Sequence, residues 1–354
     1  MNRGQCIVAG VMAGTSADGA DVAVVSVQRG PGRWKWELRE VRHRAYSTGL
    51  RLRILGATTA EEAATLDFEL GRFFGRAVQG LGADVIACHG QTVFHQGRAA
   101  TLQLGNPAVI AAAARLAVVS DFRSADIAAG GEGAPLVPWA DWHLFGDLRK
   151  PRIALNLGGI ANLTFLSSAG VTGFDTGPGN MLLDALAQQL SHGRNGYDRN
   201  GVIASRGRVV PSLLQGWLRH PYLLRKPPKS AGREQFGELP KGEASGPDLM
   251  ATLVELTART IADGVKQAGP GFAGCEMVAA GGGTKNQALM RALRRLLPGH
   301  VWRRPEEFGV PSQAREAMAF ALLGAAHLWR VPANLPAVTG ARRAVVLGSF
   351  TPTS

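Results

Sequence analysis

The chain reads as an α/β protein of two similar domains, each built around a glycine turn. Three observations predict this. Its 354 residues suffice for two domains of ordinary size. Two hairpins, the first of β-branched runs, at 8–27 and 152–166, bend around Gly14 and Gly19 and around Gly158 and Gly159, about one small domain apart. Short apolar strands then alternate with segments of helical period, the pattern of a layered α/β fold.

Composition narrows the class. Apolar residues make up 45% of the chain, enough for real cores, and no apolar run approaches the roughly 20 residues of a membrane helix. Arg3 and the apolar stretch after it imitate a signal peptide, but Gly10 and Gly14 interrupt that stretch and Asp18 and Asp21 follow. It reads as a strand, and the protein as cytoplasmic. Cys6, Cys88 and Cys275 lie in or beside apolar runs without metal-ligand spacing, which fits reduced thiols. The net charge of +12 and pI near 10.4 suit nucleic acid or small anions. The basic residues are scattered, however, and no aromatic-plus-basic RNA motif appears, so the charge is expected to be solvated surface, with no nucleic-acid and no membrane partner.

In chain order, the first hairpin turns through Gly14, Thr15, Ser16, Ala17, Asp18, Gly19, Ala20 and Asp21. The exposed amides of such a turn form a nest for anions. Asp18 and Asp21 would repel a bare phosphate, so a cation is expected there, and Mg²⁺ commonly bridges one or two carboxylates to nucleotide phosphates. A strand pair is expected over 34–44. A helix opens near Thr59, with Leu66, Leu70, Phe73, Phe74 and Ala77 on its buried face. Residues 83–88 form a buried strand that ends in a polar loop, 89–95, facing the ligand crevice. For His89 in that loop two readings stand, a sugar contact and a strand-end histidine bonded to backbone. Asn106 and Pro107 start a further helix. Residues 116–119 form a strand, and 130–138 form a Gly- and Pro-rich loop of fixed path around Glu132.

A domain boundary is expected at Pro151. The second hairpin, 152–166, carries Asn156 and Asn162 around Gly158 and Gly159. A turn over 173–180 precedes a helix from Met181, whose N-terminus is expected to keep Asp175 ionised and available as a base. A helix cap is the other reading of Asp175. After a long irregular segment, 221–247, a helix begins at Pro247. The strand 276–280 runs through Gly281, Gly282, Gly283 and Asn286 into another helix, which suits either a nucleotide or close helix–strand packing. Glu316 lies in the first turn of the last strong helix, 314–329. A final strand is expected at 344–347.

Taken together, Met12-Ala-Gly-Thr-Ser-Ala-Asp-Gly-Ala-Asp21, His89-Gly-Gln-Thr92, Ser120-Asp-Phe-Arg123, Gly133-Ala-Pro-Leu-Val-Pro138, Asn156-Leu-Gly-Gly-Ile-Ala-Asn162, Phe174-Asp-Thr-Gly-Pro-Gly-Asn180, Lys229-Ser-Ala-Gly-Arg-Glu234, Gly281-Gly-Gly283, Glu316-Ala-Met-Ala-Phe-Ala321 and Asn334-Leu-Pro-Ala-Val-Thr-Gly-Ala341 form an ordered set. Over almost the whole chain it resembles the anhydro-N-acetylmuramic acid kinases, a bacterial family of the sugar kinase/Hsp70/actin superfamily. The departures are small: Ala13 for Ser, Glu132 for Gln, and Gln96-Gly97 for Arg-Pro.

The resemblance implies an actin-like ATPase fold of duplicated ribonuclease H-like domains with an interdomain cleft, divided as 1–150, 151–315 and a returning segment, 316–354. It implies a kinase that uses ATP and Mg²⁺ to open 1,6-anhydro-N-acetylmuramic acid and phosphorylate O6 during peptidoglycan recycling, and it suggests a homodimer. Asp175 is carried over as the base, and Glu316 in a supporting role near Mg²⁺ together with Asp18. The nucleotide falls to residues 14–21, Asn156, Gly158, Gly159, Gly281, Gly282, Gly283 and Asn286; the sugar falls to His89, Gln91, Arg123 and Glu132. Another sugar kinase on the same fold, or a catalytically silent nucleotide switch of the actin/Hsp70 type, are the alternatives.

Overall fold

A computed structural model describes residues 4–14, 16–227, 229–231, 233–237 and 244–353. In chain order the strands are β1 (Gln5–Ala13), β2 (Gly19–Gln28), β3 (Lys35–Ala45), β4 (Val85–Gln96), β5 (Ala100–Leu104), β6 (Ala117–Ser120), β7 (Arg152–Leu157), β8 (Ile160–Ser167), β9 (Gly170–Pro178), β10 (Glu276–Ala280), β11 (Val301–Arg303) and β12 (Ser349–Thr351). The chain divides into two compact units, Met1–Leu144 with Gly309–Ser354, and Phe145–Phe308.

Both units contain a mixed sheet built to one plan. In the first the order is β12-β6-β4-β1-β2-β3, with β5 paired to β4; in the second it is β11-β10-β7-β8-β9. Each begins with three antiparallel strands, β1-β2-β3 and β7-β8-β9. Each then adds two parallel strands beside the first, β4 and β6 in one, β10 and β11 in the other. This repeated topology is the duplication expected from the resemblance. The central strands are buried along most of their length, which explains their near-continuous apolar sequence. Among the described residues, each unit contains a cluster of buried apolar side chains. One gathers Val11, Val22, Leu70, Phe74 and Ile86; the other gathers Leu155, Leu163, Phe165, Leu253 and Met277.

Several expected elements recur with their sequence signals. Thr59 caps the helix Ala60–Val78 through a reciprocal capping box with Glu62. Asn106 caps Pro107–Ala114 and Asn286 caps Gln287–Leu296. Among the described residues, no helix is long and apolar enough to cross a membrane.

Other expectations are corrected. Residues 35–45 form one strand, β3, because no turn interrupts them and the strand pairs with β2 along its length, with a bulge that leaves out Arg39. The polar segment 89–95 is not a loop: β4 continues through it and pairs with β5, kinked at Gly90, where φ is +77° and a Cβ would lie 2.7 Å from the Leu104 carbonyl. The 173–180 turn is largely strand, since β9 extends to Pro178. The tail pairs at Ser349–Thr351 and not at 344–347, because Val345 is engaged by the Asn334 side chain and the Ala333 amide. The unit boundaries fall at 144/145 and 308/309, not at 150/151 and 315/316. Arg152 holds both crossings within the second unit: Nη1 donates to the Phe145 carbonyl at 2.6 Å, and the guanidinium lies 4.8 Å from the Phe308 ring centroid.

In the first unit the helix Arg315–Leu328 packs on β1, β2 and β4 and is buried almost all round. The approach depends on small residues. A Cβ on Gly10 would lie 1.9 Å from the Ala317 carbonyl oxygen, and one on Gly324 would lie 2.5 Å from the Ala87 Cβ. Replacing Gly10 by Ala should therefore cost about 2–3 kcal/mol and lower the melting temperature, because the first collision is with backbone that cannot rotate away. Gly49 opens onto free space in the helix Thr48–Gly56, and its replacement by Ala should raise stability by about 0.4–1 kcal/mol. Equal melting temperatures for the two variants would contradict this packing.

Candidate functional site

In the first unit, the turn after β1 is fastened from both sides. The Gln91 amide donates to the Gly14 carbonyl at 3.0 Å, and the Tyr46 hydroxyl donates to Gln91 Oε1 at 3.3 Å. The Ala17 amide closes on the Gly14 carbonyl at 3.1 Å, and the Tyr46 amide donates to the Asp18 carbonyl at 3.0 Å. Arg51 donates to the Ser16 carbonyl. Ala17 sits at φ +49°. A Cβ on Gly19 would be 2.4 Å from the Arg44 carbonyl oxygen, so β3 requires glycine there. Ala17 and Ala20 are buried, while Ser16 and Asp18 are exposed. Asp21 lies 2.8 Å from His43 Nδ1. Thr15 lies outside the described residues.

A second group in this unit links three of the expected residues. Arg123 donates from Nε to His89 Nε2 at 3.1 Å and from Nη1 to the Gly133 carbonyl at 2.9 Å. His89 Nδ1 donates to the Gly90 carbonyl at 2.9 Å. Burial, and then the Arg123 charge, pushes the imidazole down to about 3, so it is neutral and both ring nitrogens are engaged. Burial lowers Arg123 to about 10, still charged at neutral pH, with Glu316 opposing the shift. The Glu316 carboxyl is pushed up by burial; Arg315 and Arg123 oppose this, while Asp21 and Asp141 add to it. Arg123, Asp21 and Glu316 thus share one electrostatic neighbourhood.

Glu316 owes its position to the residue before it. Arg315 forms a buried two-pronged pair with Asp141, Nε to Oδ1 at 3.0 Å and Nη2 to Oδ2 at 2.5 Å. Asp126 is a second buried fastener, accepting from the Gly133 amide, Asn334 Nδ2 and the Thr339 hydroxyl at 2.7–2.8 Å. Two residues of the 334–341 motif therefore hold the 130–138 loop in place. Glu132, on that loop, pairs with Arg98 at 2.7 Å.

In the second unit the Gly158 carbonyl accepts from the Asn180 amide and the Gly159 carbonyl from the Gly179 and Met181 amides, at 2.8–3.2 Å. Asn180 Nδ2 donates to the Leu157 carbonyl at 2.9 Å. Gly281, at φ +91°, and Gly283 lie where a Cβ would meet the Leu157 carbonyl at 2.7 Å and Asn180 Oδ1 at 2.7 Å. Close packing thus accounts for two of the three glycines. The same turn borders a cavity of about 530 Å³ lined by Asn180, Asp184, Tyr197, Asp198, Asn200, Gly282, Gly283, Lys285 and Asn286. Gly282, Gly283 and Asn286 come together there. Asn156 sits behind the turn, opposite Asn162, with its Oδ1 2.9 Å from a Cβ on Gly281.

Asp175 is elsewhere in this unit, on β9 opposite Asn162 and beside a register shift. It is 9% exposed. The expectation that a helix N-terminus keeps it ionised is corrected. The helix starts six residues later, at Met181, with the amides of 179–181 bonded to Gly158 and Gly159. Burial raises the Asp175 carboxyl to about 7, opposed by the Ala231 amide, which donates to Oδ2 at 2.8 Å, and by the Lys229 charge. The Tyr222 hydroxyl donates to the Asp175 carbonyl and the Asp175 amide to the Lys229 carbonyl. Sequence alone gives Tyr222 no part in the site, and gives Lys229 and Ala231 a place in a motif without a role. The 229–234 motif was the available signal, although Gly232 within it lies outside the described residues.

Removing one partner of the Arg315–Asp141 pair leaves a buried charge uncompensated. Arg315→Ala should therefore lower the unfolding free energy by about 3–5 kcal/mol, read as a lower denaturation midpoint. A change below about 1 kcal/mol would mean that the pair does not hold the helix start.

Residues 6–353 match the family described as anhydro-N-acetylmuramic acid kinase. The chain is 42% identical to the anhydro-N-acetylmuramic acid kinase of Acidithiobacillus ferrooxidans, over 97% of this chain and 91% of the relative. It is 38% identical to that of Bacillus cereus, over 97% of this chain and 98% of the relative. Among solved structures, component A of the Acidaminococcus fermentans (R)-2-hydroxyglutaryl-CoA dehydratase is similar at 13% identity and a TM-score of 0.45, covering 90% of this chain and 97% of that one.

Proposed function

The chain belongs to the anhydro-N-acetylmuramic acid kinase family, and on that premise we propose that it converts 1,6-anhydro-N-acetylmuramic acid and ATP to N-acetylmuramic acid 6-phosphate and ADP. Water adds at C1 as the C1–O6 bond breaks, and O6 takes the γ-phosphoryl group. Water is a weak nucleophile at a carbon of oxocarbenium character, so a base beside C1 is required. Asp175 is our candidate, accepting the water proton.

The observation that carries this reading is the buried Asp175 carboxyl, raised to about 7. An acid–base group is most effective when its proton affinity lies near the working pH. A helix cap would instead spend its oxygens on helix amides, whereas among the described residues Asp175 accepts from the Ala231 amide, which belongs to no α-helix. This also weighs against a silent nucleotide switch, which has no use for such a base.

Phosphoryl transfer depends mainly on alignment and charge neutralisation. The amides of the 14–21 turn are assigned to the phosphates, and the cavity beside Gly282, Gly283 and Asn286 to the adenosine part of ATP. Asn156, Gly158 and Gly159 are assigned to the same nucleotide. The donor chemistry suits Mg²⁺: exposed Asp18 and half-buried Glu316 offer oxygen, and Mg²⁺ takes one or two carboxylates with waters and phosphates. When bound, Mg²⁺ would neutralise phosphate charge. Arg123 is assigned to the sugar, with His89 neutral behind it; Gln91 supports the phosphate turn through Gly14, and Glu132 borders the sugar loop. A cytoplasmic homodimer acting in peptidoglycan recycling completes the reading, on the family resemblance.

Asp175→Asn should lower ring opening and phosphorylation together, by roughly 10²-fold or more, while ATP still binds. In ¹⁸O-labelled water the wild type should place the label at C1 and none in the phosphate. Near-normal turnover of the variant, or label in phosphate, would refute the assignment. Because the base must be ionised and its proton affinity is raised, kcat/KM should fall as the pH drops through about 7, not near 4 where a solvated carboxylate titrates.

A further inference from the structure

Asp175 is gripped by a segment outside its own sheet, and the grip centres on Lys229. The Asp175 amide donates to the Lys229 carbonyl at 3.1 Å, and two residues on the Ala231 amide donates back to Asp175 Oδ2 at 2.8 Å. Anything that fixes residue 229 therefore fixes both bonds. The Lys229 side chain is itself enclosed, with the residue 6% exposed. Its Nζ lies 5.0 Å from the Tyr222 ring centroid, 5.9 Å from that of Phe174, and 3.5 Å from the Leu223 carbonyl.

An enclosed ammonium is costly, and the partners it has among the described residues, two aromatic faces and one long hydrogen bond, offset that cost only in part. Filling the space does not require it, since a methionine stem would occupy the same slot. The position of the charge suggests its use, because Asp175 lies within its electrostatic reach and raises its proton affinity. We propose that Lys229 is a positioning residue: its buried ammonium anchors the segment that grips Asp175 and favours the ionised, proton-accepting form of that carboxyl. The proposal rests on the reading of Asp175 as the base.

The other groups in this neighbourhood agree. Tyr222 stays a neutral phenol, its proton affinity raised by burial and by Asp175, and it donates to the Asp175 backbone carbonyl. Arg225, over the Tyr222 ring at 5.6 Å, is a second cation and works against the Lys229 charge. Without Lys229, the Ala231 amide would be the main direct opponent of burial at Asp175. The carboxyl would then be protonated over more of the neutral range, and the reaction would lose its base as the pH falls.

The test is the pH dependence of kcat/KM for Lys229→Met and Lys229→Arg, with Asp175→Asn beside them. Lys229→Met should move the acid limb upward by about one pH unit, leaving activity at pH 6 roughly tenfold below wild type beyond any change in the alkaline plateau. Lys229→Arg should keep the limb where the wild type has it. A purely structural lysine would lower activity equally at every pH, so an unmoved limb in Lys229→Met, or a limb shifted equally in Lys229→Arg, overturns the proposal. Should circular dichroism show Lys229→Met misfolded, Lys229→Gln retains a donor for the Leu223 carbonyl without the charge and must show the same shift. Near-normal turnover of Asp175→Asn would instead remove the base reading. An inactive Asp175→Asn with an unmoved limb in the charge-removing variant would remove the lysine proposal alone.

Discussion

Close helix-to-sheet contact through residues without side-chain bulk is the constraint on which each unit depends. In the first unit, Gly10 on β1 and Gly324 on the helix Arg315–Leu328 let backbone approach backbone. In the second, Gly264 on the helix Gly246–Gln267 lies where a Cβ would be 2.9 Å from Leu163 on β8 and 2.9 Å from Thr176 on β9. Glu316 stands at the start of the first helix, and Thr176 follows Asp175. The packing that builds each core thus also determines where the chemically interesting carboxyls lie. Close-packed interiors transmit such displacements instead of absorbing them.

The buried carboxyls fall into two kinds, distinguished by their partners. Asp126 accepts three hydrogen bonds and Asp141 takes both prongs of Arg315, so their oxygens are committed to holding loops and the helix start. Among the described residues, Asp175 accepts from the Ala231 amide and feels Lys229 through space, and Glu316 balances two arginines against two other carboxyls. Under-satisfied burial raises the proton affinity of a carboxyl, to about 7 for Asp175; committed hydrogen bonds make a carboxyl part of the scaffold.

Much of the fold was legible because local signals suffice for it. The capping box at Thr59, the Asn caps at 106 and 286, and the hairpin around Gly158 and Gly159 each depend on residues a few positions apart. Elements set by distant pairing were read less well. β4 runs on through 89–95 because β5 pairs with it, and the tail strand lies at 349–351 because it pairs with β6 and Asn334 engages Val345. The unit boundaries moved for the same reason, Arg152 reaching the Phe145 carbonyl and the Phe308 ring.

By itself the sequence determined the two-unit α/β plan, the glycine turns, most helix starts and, through its ordered motifs, the family. These follow from backbone preferences and periodicity, which act over a few residues, and from motif identity. Only the tertiary structure decided the state of each side chain: that His89 is neutral with both nitrogens engaged, that Asn334 and Thr339 serve Asp126, and that Asp175 is governed by burial and the 229–231 segment and not by a helix end. The reason is physical. Proton affinity and hydrogen-bond satisfaction depend on desolvation and on charges brought close by folding, here from positions 47, 54 and 56 residues along the chain from Asp175, and no local pattern encodes those distances.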